Sequence, residues 1–509
     1  MKKLFALTLC LCLLLTGCAA PSGPHEPTGD GLSYDDNYTG PQHTQSADEN
    51  QKLSLAYYKD RTLNPYACTD FTNRMLLTLL YQSLFTVDRD YWVEPQLCKR
   101  YTVSEDMRTY TFYLEKATFS DGKELTADDV LASLNAAKSS SYYGGRFTHI
   151  TDMSKTADEG IQITLDTPME NLPILLDIPI VKASQVADPR PLGTGPYTLY
   201  TAAGGESLRR RKNWWCKSDM AVTAEAISLF PAESNTHIRD QFEFSDLSLV
   251  CADPGSDRYV DFRCDYELWD CENGIFLYLA TASNSEVFSN DAVRIALTHA
   301  IDRDFLVEEY YRGFARSASL PASPSFPQYS KTLAERYAYD AQKFAKAVAD
   351  AGMVGEEVVF LVNSDDSLRL RVARSIQEML EAGGLKVKLK ELGGNAYVEA
   401  VKAWNYDIYL GQTKLSPNMD LSPFFATYGE LSWGGVNDVA AYSLSLQALE
   451  NYGNYFSLHK LVMDQGLICP VLFRSYAVFA VRSLISDLTP ARDNVFYYSL
   501  GKTLEDAKS

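Results

Sequence analysis

Positive charge is scarce in this chain: 47 lysines and arginines stand against 66 aspartates and glutamates, a formal net charge of −19. A surface this acidic repels nucleic acid and anionic lipid headgroups, which excludes a nucleic-acid-binding or charge-anchored role. Histidine is scarcer still, with six scattered residues, and neither C-x-x-C nor H-E-x-x-H occurs. No metal site and no cofactor is therefore expected. The apolar run Leu4 to Leu15 falls short of the roughly 20 residues a spanning helix needs. Of ten cysteines, Cys10, Cys12 and Cys18 lie at the amino terminus, leaving Cys68, Cys98, Cys216, Cys251, Cys264, Cys271 and Cys469. Seven is odd, so complete pairing is excluded; Cys264 and Cys271 are close enough to bridge, but spacing does not fix connectivity. Most are expected as small core residues.

What is present begins with Lys2 and Lys3 ahead of that apolar run, the pattern of a secretory signal. Leu15-Thr16-Gly17-Cys18 resembles a bacterial lipobox, with small residues fitting the signal peptidase and Cys18 accepting diacylglycerol as the first mature residue. Cleavage after residue 17 removes two lysines and takes the charge from −19 to −21. Residues 18–50 are rich in Pro, Gly, Ser, Thr, Asp and Asn, too poor in aliphatic surface to order themselves, and read as a lipidated stalk. An acylated cysteine places the protein on the extracellular face of the cell membrane. The remaining body, 46% hydrophobic, is long enough for two or three cored domains.

Structure is expected from near Lys52. Leu53 to Tyr57 alternates as a strand, and an apolar helix is expected over about Asn73 to Leu84. Thr109 to Leu114 alternates as a strand, Ser120-Asp121-Gly122-Lys123 is a turn, and Thr126 with Asp129 forms a capping box ahead of Val130, Leu131 and Leu134. The S-x-x-K of that turn is not the nucleophile motif of penicillin-recognising hydrolases, which opens a helix. Gly193-Thr194-Gly195-Pro196-Tyr197 lacks the third glycine of a dinucleotide loop, and Pro196 removes an amide, so it reads as a rigid turn into a strand. Further on, helices are expected over Asp291–Ile301, from Phe305 behind an Asp302 cap, and behind Asp340 up to Gly352. Val358–Val362, Leu368–Leu380, Leu385–Leu389 and Tyr406–Leu410 then alternate strand, helix, strand, strand, which predicts a mostly parallel α/β sheet. The last of these runs into Gly411-Gln412-Thr413, at a strand end where ligands of such sheets bind.

The ordered blocks Leu63-Asn64-Pro65, Tyr81 to Phe85, Val93 to Leu97, Thr109 to Leu114, Phe119 to Gly122, Leu125 to Val130, Gly193 to Tyr197 and Ala300-Ile301-Asp302-Arg303 resemble family 5 extracellular solute-binding proteins, the peptide and nickel class of ABC importers. The resemblance implies an α/β, two-lobed clamp of the periplasmic-binding-protein kind, with mixed sheets flanked by helices. Lobe I would comprise residues 51–65, 176–270 and 470–509, a subdomain 66–175, and lobe II 275–465, the chain crossing between lobes near Gly274 and Pro470. It also implies a monomer without enzymatic activity that captures a small solute, a di- or oligopeptide first, and hands it to permease subunits. The ligand contacts it implies are Tyr66, Gln412, Asp420 and Trp433. Asp420 would pair with a peptide ammonium group, and Trp433 would offer an indole face. Lobe II contains only His299 and His459, neither in a loop suited to nickel, and the family block is shortened between Trp433 and Leu467. A clamp that docks on a signalling receptor is the alternative, and an exported hydrolase lacks any nucleophile signature.

Overall fold

The computed structural model describes residues 53–216, 218, 220–254, 262–435, 437–485 and 487–508. The leader, Cys18 and the stalk lie outside them. An eleven-stranded sheet organises the chain, in the order Lys386–Leu392, Glu357–Asn363, Ile408–Lys414, Tyr266–Thr281, Cys469–Val481, Leu249–Ala252, Leu53–Tyr57, Ala226–Pro231, Gly205–Arg210 and Tyr197–Ala202, with Ala315–Ser317 added beside Cys469–Val481. The parallel expectation holds only locally. Glu357–Asn363 runs parallel to both its neighbours, as does Leu53–Tyr57, but the middle of the sheet and its far edge are antiparallel. The βαβ pattern was legible over residues 340–410, whereas the two longest strands, Tyr266–Thr281 and Cys469–Val481, pair head to tail and make the sheet mixed.

Those two strands carry the chain from one apolar core to another. One core gathers Leu53, Leu55, Leu229, Leu249, Trp269, Val478 and Phe496; a second gathers Leu277, Leu279, Phe360, Ile376, Ile408 and Leu472. Helices Asp291–Ala300, Arg303–Tyr311, Ala341–Asp350 and Ser367–Ala382 supply the second with its buried stripes. The caps are local and as expected: Asp302 accepts from Phe305 N, Asp340 from Lys343 N, and Gly352 takes φ 71° beyond the helix end.

A four-stranded antiparallel sheet, ordered Cys98–Val103, Thr109–Leu114, Ile161–Leu165, Ile150–Lys155, forms a separate layer under the helix Ala127–Lys138. That helix opens on the Thr126–Asp129 capping box, and Gly122 at φ 82° completes the preceding turn. The apolar core of this layer is continuous with Phe276, Tyr278, Tyr409, Phe424 and Tyr455. The helix expected over Asn73 to Leu84 is broken into Phe71–Arg74 and Leu77–Leu80. Leu80 O, which would accept from Leu84 in a continuing helix, instead accepts from Gly195 N at 3.0 Å. A Cβ on Gly195 would stand 2.6 Å from that same oxygen, so the rigid turn at 193–197 is pressed against this carbonyl. Cys68, Cys98, Cys271 and Cys469 are buried free thiols.

Candidate ligand-binding cleft

Where the two long strands pass between the cores their pairing slips, between Glu272 and Phe276, and Gly274 in the slip adopts φ 67°. A left-handed residue flanked by a register shift is a bend that glycine makes at least cost. Charged side chains from distant parts of the chain converge on this bend. Lys414, at the end of Ile408–Lys414, donates to Asn273 O at 2.5 Å, Asp493 Oδ2 at 2.6 Å and the Tyr142 hydroxyl at 3.3 Å. Burial pulls the Lys414 ammonium down to about 8, against the opposing pull of Asp493. Burial works against the Asp493 carboxylate as well, yet Lys414 and Arg492 outweigh it and hold its pKa below the usual range.

Arg492 lies over Gly274 and donates through Nη2 to Leu415 O. Arg74 donates to Pro65 O at 3.2 Å, Cys68 O at 2.8 Å and the Tyr143 hydroxyl at 3.1 Å, with its guanidinium 3.3 Å from the Tyr142 ring centre. Arg146 pairs with Asp177. A cavity of about 60 Å³ lies among Arg74, Tyr142, Arg146, Asp177, Arg492 and Asp493. A larger one, of about 320 Å³, is lined by Asp70, Phe71, Arg239, Cys251, Asp253 and Tyr476. Its Phe71 and Tyr476 rings stack at 3.6 Å, a flat apolar wall beside two carboxylates. Among the described residues, no group of three His, Cys, Asp or Glu side chains is placed to hold a metal ion.

The nominated contacts fall in different places. Tyr66 donates its hydroxyl to Pro179 O at 2.6 Å and meets Tyr143, a wall of the small cavity, edge to face at 6.5 Å. Gln412 accepts from Arg474 at 3.2 Å, and Arg474 also holds Asp253 at 2.6 Å, which ties Gln412 to the rim of the larger cavity. Asp420 is 7% exposed and already engaged: it accepts from Ser422 N at 2.8 Å and Ser422 Oγ at 3.0 Å, and lies 3.3 Å from His149 Nε2. Burial disfavours charge on His149, but Asp420 and then Asp166 outweigh it and raise its pKa. Trp433 is half-buried against the shared apolar core, ahead of Gly434 and Gly435, both at positive φ. Sequence reasoning missed Arg74, Tyr142, Lys414, Arg492 and Asp493. Only Lys414 carried a signal, lying one residue beyond Gly411 to Thr413, the segment expected past a strand end at Leu410 and found instead within the strand Ile408–Lys414, paired with Phe276 to Tyr278.

A mixed sheet threaded twice between two cores, with polar groups gathered at the crossing, defines a two-lobed solute-binding protein. The chain belongs to the bacterial extracellular solute-binding proteins of family 5, whose middle region it matches over residues 93–435. It is a non-enzymatic substrate-binding component of an ABC importer. Among curated proteins it is 24% identical over 392 residues to the glutathione-binding protein GsiB of Salmonella typhimurium, covering 73% of this chain and 74% of the relative. The protein AppA from Clostridium difficile shares the fold, with TM-score 0.71 and 15% identity over 88% of this chain and 100% of that one. So does DppA from Helicobacter pylori in complex with the peptide STSA, with TM-score 0.62 and 18% identity over 88% and 98%.

Proposed function

We propose that this protein is a lipid-anchored, monomeric receptor on the extracellular face of the cell membrane that captures a short peptide and delivers it to its permease. Membership of family 5 carries the proposal. The glutathione- and peptide-binding relatives support a peptide as the solute. Lobe I is residues 51–65, 176–270 and 470–509 with the subdomain 66–175, and lobe II is residues 275–465. They close by bending at Gly274, where the strand register slips. The peptide runs from Tyr66, beside the small cavity, to Gln412, at the rim of the larger one, with Trp433 and the Asp420 loop on the lobe II side. Closure follows only from the solute's stronger contacts with the closed state.

Two measurements test the two halves of this reading. A pool of di- to pentapeptides is expected to raise the melting temperature of the purified mature protein and to shrink its radius of gyration in small-angle scattering. No change in either sinks peptide capture. Cys18→Ala is expected to release the protein from the membrane fraction into the medium, and unchanged retention sinks the anchor.

A further inference from the structure

The small cavity beside Gly274 holds more positive charge than its walls neutralise. Arg74, Arg146 and Arg492 line it together with only two carboxylates, Asp177 and Asp493. Asp177 is taken by Arg146, and Asp493 is held by Lys414 at 2.6 Å. Arg74 spends its hydrogens on two carbonyls and a tyrosine hydroxyl. Arg492 is 4% exposed, and while its Nη2 reaches Leu415 O, its Nε and Nη1 have no hydrogen-bond acceptor. The nearest carboxylate oxygen, Asp493 Oδ2, stands 3.9 Å from Nε, beyond hydrogen-bond reach.

A buried guanidinium with two idle donors is costly in an apolar surrounding and is relieved by an acceptor with paired oxygens. Nε and Nη1 do not face the same way, but either one makes a parallel pair of donors with the second hydrogen of Nη2, and a carboxylate matches that fork. The volume of about 60 Å³ suits such a head group and not a whole solute. We propose that this cavity is the subsite for a carboxylate of the captured solute, bound by Arg492 with Arg74 beside it. The inference rests on the solute-capture reading and narrows it: recognition is anchored on a negative group, and the carboxylates near the bend are already neutralised by Lys414 and Arg146. A ligand in which that carboxylate is replaced by an amide keeps one oxygen to accept from Arg492 but sets an N–H against the second donor of the fork.

The test compares acids with their amides on the mature protein. In thermal melts, acetate is expected to stabilise the wild type and acetamide is not. In calorimetry, the peptide pool with free carboxyl termini is expected to bind at least tenfold more tightly than the same pool as carboxamides. Arg492→Gln, confirmed folded by circular dichroism, is expected to abolish the acetate effect and erase the acid preference. Acids and amides that act alike on the wild type in both assays overturn the subsite, while peptide capture stands if both pools bind. An acetate effect with no response to either pool leaves the subsite standing and removes the peptide reading.

Discussion

Gly274→Ala is expected to destabilise the protein by on the order of 3 kcal/mol and to weaken solute capture with it. Two costs combine. At φ 67° an L-residue is strained, by about 1–2 kcal/mol. The new methyl would also lie 2.5 Å from Arg492 Cζ and 2.7 Å from its Nε. The guanidinium is buried and tied to Leu415 O, so moving it breaks that bond and leaves a charged group short of acceptors. Losing a buried partner of this kind costs about 1–3 kcal/mol. Urea denaturation of Gly274→Ala, Arg492→Ala and the double variant separates the two costs. Removing the guanidinium makes room for the methyl, so the double variant is expected to be less destabilised than the sum of the singles by at least about 1 kcal/mol. Simple additivity would show that the guanidinium and the bend are independent.

The second large effect concerns acid. His459, on the helix Tyr455–Asp464, is 0% exposed, and neither ring nitrogen has a hydrogen-bond partner. Burial alone pushes its pKa down to about 3. In the unfolded chain the same ring titrates near about 6.5. Below that pH the unfolded state binds a proton that the folded state refuses, so stability is complete above about 6.5 and falls as the pH drops, by about 1.4 kcal/mol per unit. By about pH 4.5 the loss from this one residue reaches roughly 3 kcal/mol. His459→Leu, close to it in volume, is expected to stabilise the protein modestly at neutral pH by removing an unsatisfied polar group. The gain should widen steadily on acidification. Melting temperatures of the two proteins from pH 7.5 to 4.5 provide the check, and a difference that stays flat across that range would mean the ring is not held neutral.

Features set by neighbours in sequence were legible, and those set by distant partners were not. The Thr126–Asp129 box, the caps at Asp302 and Asp340 and the turn at Gly122 each depend on residues within a few positions. The ordered family blocks placed the chain among two-lobed binding proteins for the same reason, since each is a short run. The helix after Asn73 failed because Gly195, far along the chain, claims the carbonyl that would have extended it. The candidate site was harder still. Lys414 and Asp493 are 79 residues apart and meet only because two strands cross between the cores. Arg74 and Tyr142, from two further parts of the chain, meet beside them. No periodicity or spacing encodes such a meeting. Asp420 was nominated for its chemistry, and nothing in its local sequence revealed that His149 would occupy it.

Leu53–Tyr57 has neighbours on both sides, pairing along its whole length with Ala226–Pro231 and at Leu55 with Leu249. The strand therefore lies inside the sheet and not at an edge. A pull on Leu53 along the strand loads five register pairs at once, so the bonds must slide together, where a pull across the ladder would part them one at a time. Leu53–Tyr57 is thus a mechanically strong grip on the sheet, one that resists force applied at its amino-terminal end.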